Sequence, residues 1–153
     1  MKVGFVQFSP VLGDRAATLR KVDRMCEEFR PADLVVLPEL CNSGYNFASA
    51  EQARSTAEDA RDGPFTQYLA SLSKRHRQYI VAGINELDNQ DGRLYNTAVL
   101  VGPDGHIGKY RKLHLFMNEK DYFQPGNQGL PVFDLGVCKV GMLICFDWIF
   151  PEA

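Results

Sequence analysis

At 153 residues the chain is long enough for one domain with its own core. Hydrophobic residues at 45% and charged residues at 24% exclude disordered, collagen-like and low-complexity classes. A formal net charge of −2 gives no electrostatic basis for a polyanionic partner, so nucleic acid is not expected and a small soluble substrate is.

No stretch approaches the ~18 uninterrupted apolar residues of a membrane span, and no membrane association is expected. Met1-Lys2 leads directly into Val3-Gly4-Phe5-Val6, and Gln7, Ser9 and Pro10 break up the apolar run, which is unlike a signal peptide. The four cysteines, Cys26, Cys41, Cys138 and Cys145, lack CxxC spacing. They therefore read as reduced thiols of a cytoplasmic protein rather than a zinc cluster or a disulfide frame.

In chain order, Val3–Phe8 alternates apolar with small or polar residues and predicts a first strand. Asp14 can cap a helix running to about Phe29, with Leu19, Val22, Cys26 and Phe29 on one apolar stripe and Pro31-Ala32-Asp33 as its break. Leu34–Leu37 is a short apolar strand of the kind buried on both faces, and Glu39 follows it after Pro38. Ser49 with Gln52 makes a capping-box pattern opening a short helix toward Asp59. A second amphipathic helix carries Phe65, Tyr68, Leu69 and Leu72 toward the core and Lys74–Arg77 near its C-terminal end, where positive charge suits the helix dipole. Strands are then predicted over Tyr79–Ile84, Thr97–Val101, Ile107–Tyr110, Val132–Leu135 and a buried Lys139–Ile144, with turns at Asn89–Gly92 and Pro103–Gly105. Pro151 stands where a helix would begin. The order predicts a mixed α/β layer structure with helices on one face of the sheet.

Three residues stand out chemically. Cys145 ends an apolar strand, where α/β folds place reactive groups and where a following turn aims backbone N–H groups at a substrate oxygen; a buried structural thiol is the competing reading. Cys26, on a helix stripe, and Cys138, before a strand, read as structural. Glu39, placed straight after Leu-Val-Val-Leu-Pro, is a carboxylate entering an apolar neighbourhood, where burial raises a pKa toward that of a general base; a loop glutamate is the alternative. Lys112 lies in the basic run Lys109–Lys112, whose ordinary reading is a solvated edge. His114 leaves a Cys–His pairing open, since spatial proximity is not legible in sequence.

Taken together, Leu37-Pro38-Glu39-Leu40 with Gly44-Tyr45, Gly108–Phe116, and Gly141–Asp147 with Phe150-Pro151-Glu152 resemble the three signature blocks of the nitrilase superfamily of carbon–nitrogen hydrolases, in the family's order. The resemblance runs from Val3 to the last residue, with supporting matches at Tyr95-Asn96-Thr97-Ala98 and Phe123-Gln124-Pro125-Gly126.

The resemblance implies an amidase- or carbamoylase-like hydrolase with a Glu39–Lys112–Cys145 triad and a thioester intermediate, releasing ammonia or an amine. Cys145 is then the nucleophile, Glu39 the general acid and base, and Lys112 the cation beside the oxyanion, assisted by the backbone N–H of Phe146. Lys112 is also expected to stabilise the thiolate. Glu119 matches a second family glutamate, and Tyr45 and Trp148 match positions that line the pocket, aromatic core packing being their alternative. No metal or organic cofactor is expected; the implied partners are a small-molecule amide and, in the full-length form, a second copy in a homodimer or larger assembly. The implied fold is half of a four-layer α-β-β-α sandwich, with residues 1–153 as a domain incomplete at its C-terminus. Two alternatives remain: a non-catalytic half-domain acting as a binding module, and a thiol hydrolase that uses His114.

Overall fold

The computed structural model describes residues 1–28 and 32–153. A five-stranded sheet is built from β1 (Val3–Phe5), β2 (Leu34–Val36), β3 (Tyr79–Leu87), β4 (Leu94–Gly102) and β5 (Gly105–Arg111), paired in that order. β1, β2 and β3 run parallel, and β3, β4 and β5 form an antiparallel meander, so the sheet is mixed, as predicted. α1 (Arg15–Glu28) connects β1 to β2, and α2 (Ala50–Ser55) with α3 (Pro64–His76) connects β2 to β3. The predicted end of the first helix at Phe29 and its break at Pro31 lie outside the described residues.

Local chemistry sets the helix boundaries. Asp14 Oδ1 accepts from the Ala17 N–H at 2.9 Å, satisfying one free donor at the start of α1. Ser49 caps α2 by accepting from Gln52 N–H, but Gln52 reaches back to Ala48 N–H rather than to Ser49, and the helix stops at Ser55, short of Asp59. The N-cap of α3 is Gly63, which has no side chain to offer; the buried Glu58 carboxylate instead accepts from Phe65 and Thr66 N–H. Arg77 closes α3 in the left-handed conformation, its N–H donating to Ser73 O.

The period-2 alternation of the strands splits the core into two faces. Ile80, Ala82, Ile84, Val99 and Val101 meet Val22 and Cys26 of α1 and Phe65, Leu69 and Leu72 of α3. On the other face Leu34, Ala98, Leu100 and Tyr110 meet Leu135, Met142 and Ile144, which follow the two strands of a separate hairpin, β6 (Val132–Asp134) with β7 (Lys139–Gly141). The molecule thus layers helices, a mixed sheet and a second small sheet. The structure corrects the predicted buried strand Lys139–Ile144. β7 pairs only with β6, so Lys139, Gly141 and Leu143 face outward while Met142 and Ile144 face the core. β1 is also shorter than predicted, ending at Phe5, whereas β3 and β4 are longer, each of 9 residues.

Candidate active site

Glu39 leaves the carboxyl end of β2, Asn96 sits near the start of β4, and Lys112 follows the carboxyl end of β5. Because β4 is antiparallel to β3 and β5, all three positions fall at one edge of the sheet, where open α/β sheets present their reactive groups.

Glu39 reaches this edge by crossing β3. Gly83 N–H donates to Pro38 O at 3.1 Å and Gly83 O accepts from Cys41 N–H at 2.8 Å. A Cβ on Gly83 would stand 2.5 Å from Glu39 Cα, so only glycine lets the chain pass this closely. Leu40, the next residue, has φ 48°, a left-handed conformation that its side chain disfavours and its complete burial enforces.

Lys112 is fixed from both sides of its backbone, donating to Asn96 O at 2.9 Å and accepting from Gly126 N–H at 2.8 Å. Its buried ammonium bridges Glu39 Oε1 at 2.8 Å and Glu119 Oε1 at 2.7 Å. Asn96 Nδ2 donates to the same Glu39 oxygen at 2.7 Å, and Tyr45 OH donates to Glu119 Oε1 at 2.8 Å. The basic run is therefore no solvated edge. Arg111 points to the opposite sheet face, buried against Glu86 Oε1 at 2.6 Å and Asp88 Oδ2 at 2.7 Å, its guanidinium 3.7 Å above the Tyr95 ring.

Cys145 and Glu119 are presented by two turns of the same construction. In Phe116–Glu119 the carboxylate accepts from Phe116 N–H at 2.8 Å, while Glu119 N–H donates to Phe116 O at 2.9 Å. In Ile144–Asp147 the carboxylate accepts from Ile144 N–H at 3.1 Å, while Asp147 N–H donates to Ile144 O at 3.1 Å. The second residue of each turn is left-handed, Met117 at φ 43° and Cys145 at φ 47°. Three of the four non-glycine residues with positive φ among the described residues, Leu40, Met117 and Cys145, thus flank this one site. Phe116 and Phe146 lean on each other with ring centroids 5.0 Å apart, holding the two turns side by side.

Lys112 favours the thiolate, as expected, but it does not outweigh the groups that oppose it. The Cys145 thiol is pushed above its ordinary range, first by partial burial and next by the Glu39 carboxylate; Lys112 pulls it down and Glu119 adds to the rise. One ammonium already serves two carboxylates, so the cluster presents excess negative charge to the sulfur. Burial works against the charge on Lys112, but the hydrogen bonds it donates to Glu119 and Glu39 outweigh it and hold the ammonium above its usual range. Burial and the bond to Glu119 likewise raise the Tyr45 phenol.

Of the residues singled out in sequence, Glu39, Lys112, Cys145, Glu119 and Tyr45 converge at this edge. Tyr45 and Glu119 also line a cavity of about 180 Å³ walled by Phe47, Phe116, Tyr122 and Phe123. Trp148 is largely exposed, at 76%, and does not line that cavity. His114 faces away toward Asp147, 2.9 Å from Nδ1, and stacks on Phe150 at 3.7 Å between centroids. Among the described residues no cluster of three or more His, Cys, Asp or Glu is placed to hold a metal ion, and no helix is long and apolar enough to cross a membrane. Sequence reasoning gave no role to Asn96 or Asp147. The available signal was a polar or charged residue set inside a buried segment, since β4 is buried throughout and Asp147 lies between two aromatic residues.

Residues 2–153 match the family described as carbon-nitrogen hydrolase. A relative from Pyrococcus abyssi named as a nitrilase is 46% identical over 155 residues, covering 100% of this chain and 58% of its own. An (R)-stereoselective amidase from a Pseudomonas species is 36% identical over 154 residues, covering 100% of this chain and 54% of its own. The crystal structure of Saccharomyces cerevisiae Nit3, a member of branch 10 of the nitrilase superfamily, superposes with a TM-score of 0.86 at 34% identity, covering 99% of this chain and 58% of that one. The chain therefore spans a little over half the length of these relatives. On fold, on motif and on these likenesses together, the chain belongs to the carbon–nitrogen hydrolase family.

Proposed function

We propose that the protein hydrolyses a small non-peptide amide or carbamoyl amide through a covalent thioester on Cys145. The observation that carries this reading is the Lys112 ammonium held between Glu39 and Glu119 beside the Cys145 thiol. A thiol held above its ordinary range rests protonated at neutral pH and needs a base at the moment of attack. That the Glu39 carboxylate is the strongest charged neighbour of the thiol supports its reading as the base.

As Sγ bonds to the substrate carbonyl carbon, Glu39 takes the thiol proton. The carbonyl electron pair moves onto oxygen, which Lys112 Nζ and the backbone N–H of Phe146 receive; one such donor contributes roughly 3–4 kcal/mol to the barrier. Collapse of the tetrahedral intermediate breaks the C–N bond, and Glu39 returns its proton to the departing ammonia or amine. Water, deprotonated by Glu39, then attacks the thioester, and the acid leaves as the thiol is restored. The amide preference follows the Cys145-Phe146-Asp147-Trp148 context and agrees with relatives named as amidases.

Residues 1–153 are proposed as the N-terminal part of such a hydrolase, working on a soluble substrate in the reducing cytoplasm, where four free thiols are at home, and assembling as a homodimer or larger oligomer. The test is ammonia release across an amide panel combined with intact mass in the pre-steady state. Wild type should release ammonia and carry an acyl adduct on Cys145. Cys145→Ala should do neither, and turnover that persists in Cys145→Ala would sink the proposal.

A further inference from the structure

Asp147 is completely buried and lies two residues after Cys145. Three donors and the His114 ring converge on its carboxylate. Oδ2 accepts from Tyr110 OH at 2.7 Å and Ile144 N–H at 3.1 Å. Oδ1 accepts from His114 N–H at 2.9 Å and pairs with His114 Nδ1 at 2.9 Å. Tyr110 OH in turn accepts from Leu113 N–H at 3.2 Å. Each carboxylate oxygen takes one backbone N–H, so a neutral amide in its place would set an N–H₂ against a backbone donor whichever way it turned.

These bonds reach two segments that sequence separates widely. The bond to Ile144 closes the turn that holds Cys145 at φ 47°, a conformation that needs surrounding contacts to persist. The bonds to Tyr110, His114 and, through Tyr110, Leu113 grip the chain on both sides of Lys112. We propose that Asp147 is a positioning residue that closes the Cys145 turn and locks it to the strand-end loop carrying Lys112, with His114 as its principal partner. The inference deepens the hydrolase reading and rests on it for the link to turnover. It also assigns His114 a task other than proton transfer to the thiol.

The test compares Asp147→Asn, His114→Ala and His114→Asn by steady-state amide hydrolysis, by the pH profile of Cys145 alkylation with iodoacetamide read by peptide mass, and by thermal melting. Asp147→Asn should lower kcat roughly a hundredfold with KM changed by less than about threefold, the pattern of lost alignment. His114→Ala should lose about tenfold, and His114→Asn, whose amide N–H can replace Nδ1, should return to within about threefold of wild type. The alkylation midpoint should fall toward that of an ordinary cysteine in His114→Ala, as the sulfur leaves the field of Glu39, and be restored in His114→Asn. Asp147→Asn retaining kcat within about twofold, or His114→Asn as impaired as His114→Ala, overturns the proposal. If Asp147→Asn does not fold, the two His114 variants decide. If wild type hydrolyses no amide, the hydrolase reading fails and alkylation alone judges the positioning role: an unchanged midpoint in His114→Ala overturns it, and a shift restored by asparagine sustains it.

Discussion

Lys112 Nζ lies 2.8 Å from Glu39 Oε1 and 2.7 Å from Glu119 Oε1, so one buried cation neutralises only part of the charge that surrounds it. Removing it leaves two carboxylates facing each other in a pocket with little solvent. Lys112→Ala should cost about 3–5 kcal/mol of stability, the penalty for stranding a buried partner, and should abolish turnover. Urea unfolding checks the first part. A loss below about 1 kcal/mol would mean that the carboxylates are far better solvated than their burial indicates.

The same charge excess acts on Cys145, the proposed nucleophile. Glu39 and Glu119 both raise the Cys145 thiol, Glu39 more strongly. Glu119→Gln should therefore lower the midpoint of Cys145 alkylation, and Glu39→Gln should lower it further while removing hydrolysis. Midpoints that stay put in both variants would show that burial alone sets the thiol.

Stability should decline on the alkaline side. The pKa of Lys112 is raised on folding, so its contribution is complete below its unfolded value, about 10.4, and is lost as pH rises through the folded one. Tyr45 and Cys145 are also raised, and the folded state holds their protons more tightly than the unfolded chain does. The Tm should thus fall from about pH 8.5 upward, first through Cys145 together with the buried thiols of Cys26 and Cys41, which burial also raises, and then through Tyr45 and Lys112. Cys145→Ala should lessen the early decline without removing it, because Cys26 and Cys41 still hold their protons more tightly when folded. A Tm that rises over this interval would contradict the direction of these shifts.

At Gly83 the crossing of Glu39 over β3 leaves no room for a methyl group. Gly83→Ala should cost about 1–3 kcal/mol by overpacking and should lower kcat beyond what the remaining folded fraction explains, because the displaced backbone runs from Pro38 through Glu39 to Leu40. Melting curves and rates measured on the same preparation separate the two effects.

Asn96 donates to Glu39 at 2.7 Å and, at 3.4 Å, to Glu119. Asn96→Ala loses a donor to an ionised group, a contribution of about 1.5–3 kcal/mol. Asn96→Asp should be worse in both kcat/KM and Tm, since a third carboxylate would then share one ammonium. An aspartate variant as active as the alanine variant would show that the cluster readily takes up a proton.

Much of this molecule is legible from its residues alone. The 3.6-residue spacing of Val22 with Cys26, and of Phe65, Leu69 and Leu72, marks the faces that α1 and α3 bury. Glu39 and Cys145 stand out because a charged and a thiol group end apolar runs, and Lys112 through the block that surrounds it. These are local signals, carried by neighbours along the chain.

The relations among those residues were decided by the tertiary structure. Whether Arg111 and Lys112 form a solvated edge depends on β5 closing the sheet, which sends them to opposite faces to meet Glu86 and Glu39. Lys139–Ile144 has the composition of a buried strand, yet β7 pairs only with β6 and leaves alternate residues outside. The role of Asn96 rests on a contact 57 residues away in sequence, and that of Asp147 on contacts 33 and 37 residues away. The charge that Cys145 experiences is the sum of groups from three separate segments, and their distances exist only once the sheet has brought β2, β4 and β5 to one edge. Sequence alone determined which chemical groups are present and which faces are apolar, because those are properties of short stretches. Hydrogen-bond partners, burial of charge and the resting state of the thiol are long-range properties, and folding set them.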